Sequence, residues 1–179
     1  MPRIFIAALL PEDIKNEISV IIEDAGNCFN GVKWEKADKI HITLNFIGSV
    51  DSITSEEVLK RLNGIIPQSG PITLTFSHID AFPDFKRPRV LVIRLNHSEE
   101  LLSLKAKIDE DLSVLGIESE RRGFRPHITI GRVKKGFRQT GKAVKIDKNV
   151  FQINSIALVK SELRKEGSEY NNLGVYKLS

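Results

Sequence analysis

The same short word, His-Ile-Thr followed by Leu or Ile, occurs at two places in this chain. HITL begins at His41 and HITI begins at His127. Alternate side chains of a β-strand share a face, so each copy would present its imidazole and its hydroxyl together, roughly 6.5–7 Å apart. Regular alternation would turn Ile42, Leu44 and Phe46 toward a core on the other face.

Two imidazoles and two hydroxyls around one pocket suit the chemistry of a phosphodiester. One histidine takes a proton from the attacking oxygen and the other gives one to the leaving oxygen, while hydroxyls hold the remaining phosphate oxygens. Histidine suits both tasks because its unperturbed pKa is about 6.5. A single strand histidine is more often a packed or surface residue, but the two words contain half of the four histidines. We therefore predict a site formed by His41, Thr43, His127 and Thr129, and assign no role to the other two histidines.

Basic residues surround the second word. Residues 121–146 contain nine Lys or Arg and no Asp or Glu, in a chain of net charge +4. The nine are Arg121, Arg122, Arg125, Arg132, Lys134, Lys135, Arg138, Lys142 and Lys145. A second group, Lys86, Arg87 and Arg89, lies beside Phe82 and Phe85. Runs of charge are usually solvated faces, but the first group encloses one copy of the repeat, which favours a polyanion-binding surface. The second group, interleaved with aromatic rings, suits phosphates and stacked bases, with loop anchoring as the alternative role of the two rings.

The rest of the composition argues against a disulfide, a zinc site and a membrane span. The single cysteine, Cys28, cannot form an internal disulfide, and the histidines and cysteine do not have zinc-site spacing. The apolar run 4–10 is followed by Pro11 and two acidic residues, so it is too short to span a membrane. We expect a cytoplasmic protein with no metal and no cofactor.

Short strands and helices alternate along the chain. We predict a strand over 3–9, a helix from Pro11 to Gly26, and a helix from Thr54, with a capping box to Glu57, to about Gly64. Strands follow at 71–76 and 89–95, then a helix capped by Ser98 and ending at Gly116, and two strands at 151–163 and 169–178. The fold class is α+β, a two-lobed duplicated arrangement of mainly antiparallel sheets with outer helices and a central cleft. The rival is a parallel doubly wound fold, but no glycine-rich phosphate-binding turn supports it.

HITLNFIG and PHITIGR resemble the paired H-x-T-x motifs of the two-histidine (2H) phosphoesterases. The resemblance is closest to the bacterial and archaeal RNA 2′,3′-cyclic phosphodiesterases, also described as 2′-5′ RNA ligases. It extends over nearly the whole chain, through RIFIAALLPE, the Trp34 segment, FPDFKRPRVLVI and SELRKEGSEYNNLGVYKL in order. Two motifs in the right surroundings are far more specific than either tetrapeptide alone.

The resemblance implies a single domain over 1–179 with two pseudo-symmetric lobes, each carrying one motif. It implies metal-independent hydrolysis of RNA 2′,3′-cyclic phosphate ends, tRNA fragments among them, to a 2′-phosphate. His41 would donate a proton to the 3′-oxygen, His127 would accept one from water, and Thr43 and Thr129 would hold phosphate oxygens. A 5′-hydroxyl in place of water would instead give a 2′-5′ linkage. The resemblance implies neither a membrane nor an obligate protein partner.

Arg132, Arg87 and Phe82 are further candidates for substrate binding. An Arg often follows the family's second motif, but a regular strand would turn Arg132 away from His127 unless a bulge at Gly131 re-aimed it. Phe82 and Arg87 are candidates for a base-binding wall, whereas Phe5 fits core packing better. Two alternatives remain: a non-catalytic binder of RNA phosphate ends, or a hydrolase of small cyclic or 2′-5′-linked nucleotides.

Overall fold

The computed structural model describes residues 3–118, 123–141, 144–147, 149–164 and 167–179. The helices within these residues are α1 (Glu12–Gly26), α2 (Ser52–Ile65) and α3 (Glu99–Ser113). The strands are β1 (Arg3–Leu9), β2 (Phe29–Trp34), β3 (His41–Ser49), β4 (Ile72–Phe82), β5 (Val90–Leu95), β6 (His127–Gln139), β7 (Val150–Ile153), β8 (Ser155–Arg164) and β9 (Gly167–Lys177).

The strands form two antiparallel sheets. The first has the order β3-β1-β8-β9 and the second has the order β2-β6-β5-β4-β7. The predicted α+β class is confirmed, and the parallel rival is wrong, because every strand pair of the described residues is antiparallel. Each sheet contributes one motif strand, and β3 contacts β6 where the sheets meet. A division of one domain, 1–179, into pseudo-symmetric lobes remains a prediction.

Apolar faces of the helices pack with the sheets in a shared core. The buried stripe of α1 is Ile14, Ile18, Ile21 and Ala25, at the spacing that places residues on one side of a helix. The matching stripe of α3 is Leu101, Leu104, Ile108 and Leu112. Ser98 caps α3 as predicted, since its hydroxyl accepts from the backbone N–H of Leu101 at 3.3 Å. These stripes belong to one buried cluster with the core-facing residues of β1, β3, β5 and β6.

The predicted start of α2 is wrong. Asp51, not Thr54, is the N-cap, and its carboxylate accepts from the backbone N–H of Thr54 at 2.7 Å. Glu57 forms an ion pair with Lys60 at 2.8 Å instead of closing a capping box. A carboxylate is as good an N-cap as a hydroxyl, so the earlier residue begins the helix.

The segment predicted as one strand over 151–163 is two strands in different sheets. β7 pairs with β4 of the second sheet, whereas β8 pairs with β1 of the first, so the chain changes sheets at Asn154. The predicted pairing of the last two strands is confirmed as β8 with β9, although residues 165–166 of their connection lie outside the described residues. Among the helices described, none has the length and apolar character needed to cross a membrane.

Candidate active site

Both motifs, HITL and HITI, lie at the start of their strands, and their side chains alternate between the two faces there as predicted. Ile42, Leu44, Ile128 and Ile130 are buried, while the histidine and threonine of each word are half-buried on the opposite face. His41 lies opposite Leu9 of β1, and His127 lies opposite Arg94 of β5. The apolar face of each word fixes its strand in the core and leaves the polar face toward the cleft.

The same hydrogen bond orients both imidazoles. Nδ1 of His41 donates to the carbonyl of Lys39 at 2.7 Å, and Nδ1 of His127 donates to the carbonyl of Arg125, also at 2.7 Å. A carbonyl oxygen only accepts, so Nδ1 must carry the hydrogen in each ring. The nitrogen left for proton exchange in each ring is therefore Nε2, and the carbonyl of the residue two positions earlier orients each ring.

His41 is the more enclosed of the two. Its Nε2 lies 3.1 Å from the hydroxyl of Thr43, its ring stacks on Phe5 with centroids 4.9 Å apart, and Tyr170 meets it edge-on at 5.5 Å. Burial is the main cause of a pKa for His41 below its usual value, opposed by the hydrogen bond to Lys39 and the charge of Glu35. The neutral ring is favoured in the absence of an anion.

Charges from the second sheet also reach His41. The positive charges of His127 and then Arg132 lower the pKa of His41 further, after the larger effect of burial. Such coupling places the two histidines and Arg132 within electrostatic reach of one another. The structure thus brings together, from two sheets, residues that the sequence separates widely.

A bulge in each motif strand changes which side chains follow the threonine. In the pairing of β1 with β3, Ile6 lies opposite Asn45 and Ala7 opposite Thr43, so Leu44 is the extra residue. The extra residue reverses the alternation of side chains between the two faces of β3. Asn45 is therefore buried, and Phe46, opposite Phe5, is 51% exposed. The prediction that Phe46 joins the core is therefore wrong.

The corresponding bulge in β6 re-aims Arg132. Leu91 pairs with Gly131 and Val92 with Thr129, so Ile130 is the extra residue. Arg132 consequently shares a row with Val90 and Phe82, and the Phe82 ring meets the His127 ring edge-on at 4.8 Å. Arg132 therefore lies on the His127 face, which is the orientation expected if a bulge beside Gly131 interrupts the regular strand.

Glu35, which the sequence analysis missed, holds Arg132. Nε of Arg132 donates to Oε1 of Glu35 at 3.0 Å, and the Glu35 side chain is only 19% exposed. Glu35 follows β2, and its backbone N–H donates to the carbonyl of Ile130, which fixes it beside the bulge. Because the ion pair uses Nε, the outer edge of the guanidinium is oriented for an anion. No local pattern around Glu35 indicates this long-range pairing.

The other predicted residues lie at different distances from the histidines. Phe82 contacts His127 directly, whereas Arg87 lies in the exposed connection between β4 and β5, where its backbone N–H donates to Asp84. Phe5 is 4% exposed and packs beneath His41, which agrees with a packing role. The basic residues Arg125, Arg132, Lys134, Lys135, Arg138 and Lys145 are exposed, and Arg121, Arg122 and Lys142 lie outside the described residues. In the described part of the chain, no three His, Cys, Asp or Glu side chains group as metal ligands would.

The chain matches a known family over most of its length. The family model described as LigT-like phosphoesterase matches residues 9–92 and 93–170, and the chain belongs to this family. A Methanocaldococcus jannaschii RNA 2′,3′-cyclic phosphodiesterase is 35% identical, over 94% of this chain and 96% of its own. An Archaeoglobus fulgidus protein of the same name is 29% identical, over 97% of this chain and 99% of its own.

Solved structures share the fold. A crystal structure of a Thermus thermophilus protein has a TM-score of 0.87 at 23% identity, covering 98% of this chain and 97% of that one. The structure of E. coli LigT complexed with 3′-AMP has a TM-score of 0.79 at 22% identity, covering 100% and 99% respectively. The predicted 2H phosphoesterase resemblance is confirmed.

Proposed function

We propose that this protein hydrolyses RNA 2′,3′-cyclic phosphate ends to 2′-phosphates by a metal-independent, two-histidine mechanism. The observation that carries the proposal is the matched pair of Nδ1–carbonyl hydrogen bonds, which dedicates Nε2 of each imidazole to proton exchange. The activity printed for the relatives, RNA 2′,3′-cyclic phosphodiesterase, supports the same substrate.

The proton transfers balance over one turnover. Nε2 of neutral His127 takes a proton from water as the water oxygen bonds to phosphorus. The bond from phosphorus to the 3′-oxygen breaks, and Nε2–H of protonated His41 gives its proton to that oxygen. The product carries a 2′-phosphate and a 3′-hydroxyl, and solvent restores the two protonation states.

The substrate itself helps to protonate His41. Burial lowers the pKa of His41 in the protein alone, but an anionic phosphate beside the ring favours the imidazolium. The same burial makes the protonated ring a stronger acid toward the 3′-oxygen. Thr43 and Thr129 donate hydroxyl hydrogen bonds to the non-bridging oxygens, and Arg132, oriented by Glu35, balances their charge as it increases in the transition state.

The reverse direction uses the same groups. If a 5′-hydroxyl of a second RNA replaces water, His127 takes its proton and the 3′-oxygen leaves as before. The product is then a 2′-5′ linkage. Hydrolysis and ligation would differ only in the oxygen that attacks the phosphorus.

The test is incubation with an RNA ending in a 2′,3′-cyclic phosphate, in EDTA, followed by identification of the product end. We expect a 2′-phosphate from the wild type and a loss of at least about 100-fold in kcat/KM for His41→Asn and for His127→Asn. His78→Asn and His97→Asn are matched controls, because both of these histidines are exposed and make only local contacts. Circular dichroism would verify that each variant is folded.

Four results would contradict the proposal. Full turnover in both site variants would remove the two-histidine mechanism, and loss of turnover in EDTA that a divalent cation restores would remove metal independence. RNA binding that persists without any product would favour the non-catalytic binder. Equal kcat/KM on a mononucleotide and on RNA would favour the small-nucleotide hydrolase.

A further inference from the structure

Arg94 is a cation beside the site that pairs with no carboxylate of the described residues. It lies on β5 directly opposite His127 and is half-buried. Its guanidinium carbon lies 5.4 Å from the centroid of the Phe82 ring, which in turn contacts the His127 ring. Phe82 therefore links Arg94 to His127 by ring contacts.

One nitrogen of the Arg94 guanidinium is not satisfied within the described protein. Nη1 is buried without a hydrogen-bond partner, and no described carboxylate pairs with this residue. A buried donor without a partner opposes folding, more so when it is charged. Contact with the Phe82 face compensates only part of that loss. A buried cationic donor without a partner, located beside the two histidines, points to an anionic ligand.

The position relative to His127 indicates which anion it is. Side chains directly opposite on paired strands have Cβ atoms about 4.5–5.5 Å apart, so the guanidinium lies within one side-chain length of the imidazole. If the cyclic phosphate lies between the two histidines, the next anionic group of the RNA is the phosphodiester on the 5′ side of the same ribose. A planar guanidinium binds two oxygens of such a group at once.

The two sides of the cleft differ in a way that agrees with this placement. Leu9 lies opposite His41, where Arg94 lies opposite His127, and that side continues into the apolar cluster of Phe5, Ala7, Ala157 and Val159. The second sheet instead provides Arg94 and Arg132, with the exposed Arg125 just before His127. An RNA backbone is attracted to the cationic side.

We propose that Arg94 forms a subsite for the phosphodiester on the 5′ side of the terminal nucleotide, so that the protein selects RNA ends over isolated nucleoside cyclic phosphates. The inference rests on the proposed function, and it specifies the substrate class of the same site.

The experiment compares two substrates that differ in one group. Cytidine 2′,3′-cyclic phosphate with a free 5′-hydroxyl lacks the anion, and the same nucleotide with a 5′-phosphate has it. Arg94→Met should lower kcat/KM about 10- to 100-fold on the 5′-phosphorylated substrate, mainly through KM, and less than about 3-fold on the other. Arg94→Lys should fall between, since it keeps the charge but not the planar pair of donors. Arg3→Met, which removes an exposed cation at the opposite end of β1, is the control for net charge.

Urea unfolding of Arg94→Met separates binding from a structural role. We expect stability equal to or greater than that of the wild type, because the variant removes Nη1, a buried donor without a partner. Equal losses on both substrates, no loss on the 5′-phosphorylated one, or a marked loss of stability would each overturn the inference and leave the hydrolase proposal standing. A wild type that opens neither substrate nor a longer RNA would overturn the proposed function, and this inference with it.

Discussion

Replacement of Gly131 by alanine should disturb both stability and activity. A Cβ at this position would lie 2.5 Å from Cγ1 of Val32 and 3.0 Å from Cε3 of Trp34, where ordinary contacts are 3.4–4 Å. An overlap of almost 1 Å on Val32 forces β2 away from β6. Overpacking of this kind costs about 1–3 kcal/mol. For a chain of 179 residues this lowers the melting temperature by about 2–12 °C.

The same displacement reaches the site through Glu35. Residue 35 follows β2 directly, donates to the carbonyl of Ile130 and holds Nε of Arg132. A shift of β2 would therefore loosen Arg132 at its proposed phosphate contact. We expect kcat/KM on a cyclic-phosphate RNA to fall about tenfold or more in Gly131→Ala, since misplaced donors lose much of their effect on a transition state.

Urea unfolding can follow the change through the fluorescence of Trp34, which is the single tryptophan of the chain. Val32→Ala in the same chain removes the closest clashing atom, so the double variant should be more stable than the sum of the two single losses predicts. Gly64→Ala is the control, because no atom lies within 4 Å of its Cβ and alanine favours helix α2 by about 1 kcal/mol. An unchanged midpoint for Gly131→Ala, or strict additivity with Val32→Ala, would refute the steric reasoning.

Three further predictions concern the charges and the buried amide near the site. Glu35→Gln should lower the pKa of His41 further and Arg132→Gln should raise it, as measured by NMR titration of the imidazole; shifts of the same sign would contradict this. Because the pKa of His41 is lowered on folding, the unfolded chain binds its proton more readily, so the stability from this residue is complete above about pH 6.5 and is lost as pH falls. Urea titrations from pH 7 to 5 should therefore show a shallower loss of stability in His41→Asn than in the wild type, and equal slopes would contradict it. Asn45→Ala should lower the free energy of unfolding by about 1–2 kcal/mol, because the Asp109 carboxylate loses a donor at 2.7 Å. Turnover should persist. Loss of activity at full stability would contradict the structural role given to Asn45.

Local sequence predicts the two motif strands because polar and apolar residues alternate within a few positions of each other. His41 and Thr43 alternate with buried residues over four positions, and the second word repeats the pattern. The helix α3 is predicted for a similar reason, since Ser98 and an apolar stripe specify its start and buried face. These features depend on neighbours within a few positions, so no knowledge of the sheet order is required.

The sequence does not predict the bulges, because a bulge depends on how the partner strand pairs. Gly131 permits one in β6, but Leu44 and Asn45 give no such signal in β3. Asn45 becomes buried because Asp109, 64 positions away on α3, accepts its hydrogen bond. Glu35 was missed for the same reason: its partner is 97 positions away. Residues recruited by tertiary contacts leave no local pattern.

The differences between the two motifs, more than their identity, support the proposed roles of donor and acceptor. Both strands share the Nδ1–carbonyl hydrogen bond and the bulge, but the re-aimed residue is Phe46 in one and Arg132 in the other. The residue opposite the histidine is Leu9 in one and Arg94 in the other. One sheet thus packs Phe5 and Tyr170 against its imidazole, and the other places Arg94 opposite its imidazole and Arg132 on the same face. An enclosed ring with a lowered pKa accepts a proton reluctantly and, once an anion has stabilised its charge, gives the proton up readily. That behaviour suits His41 for donation to the 3′-oxygen and leaves the acceptor role to the histidine on the cationic side, so binding of the phosphate itself would prepare the acid.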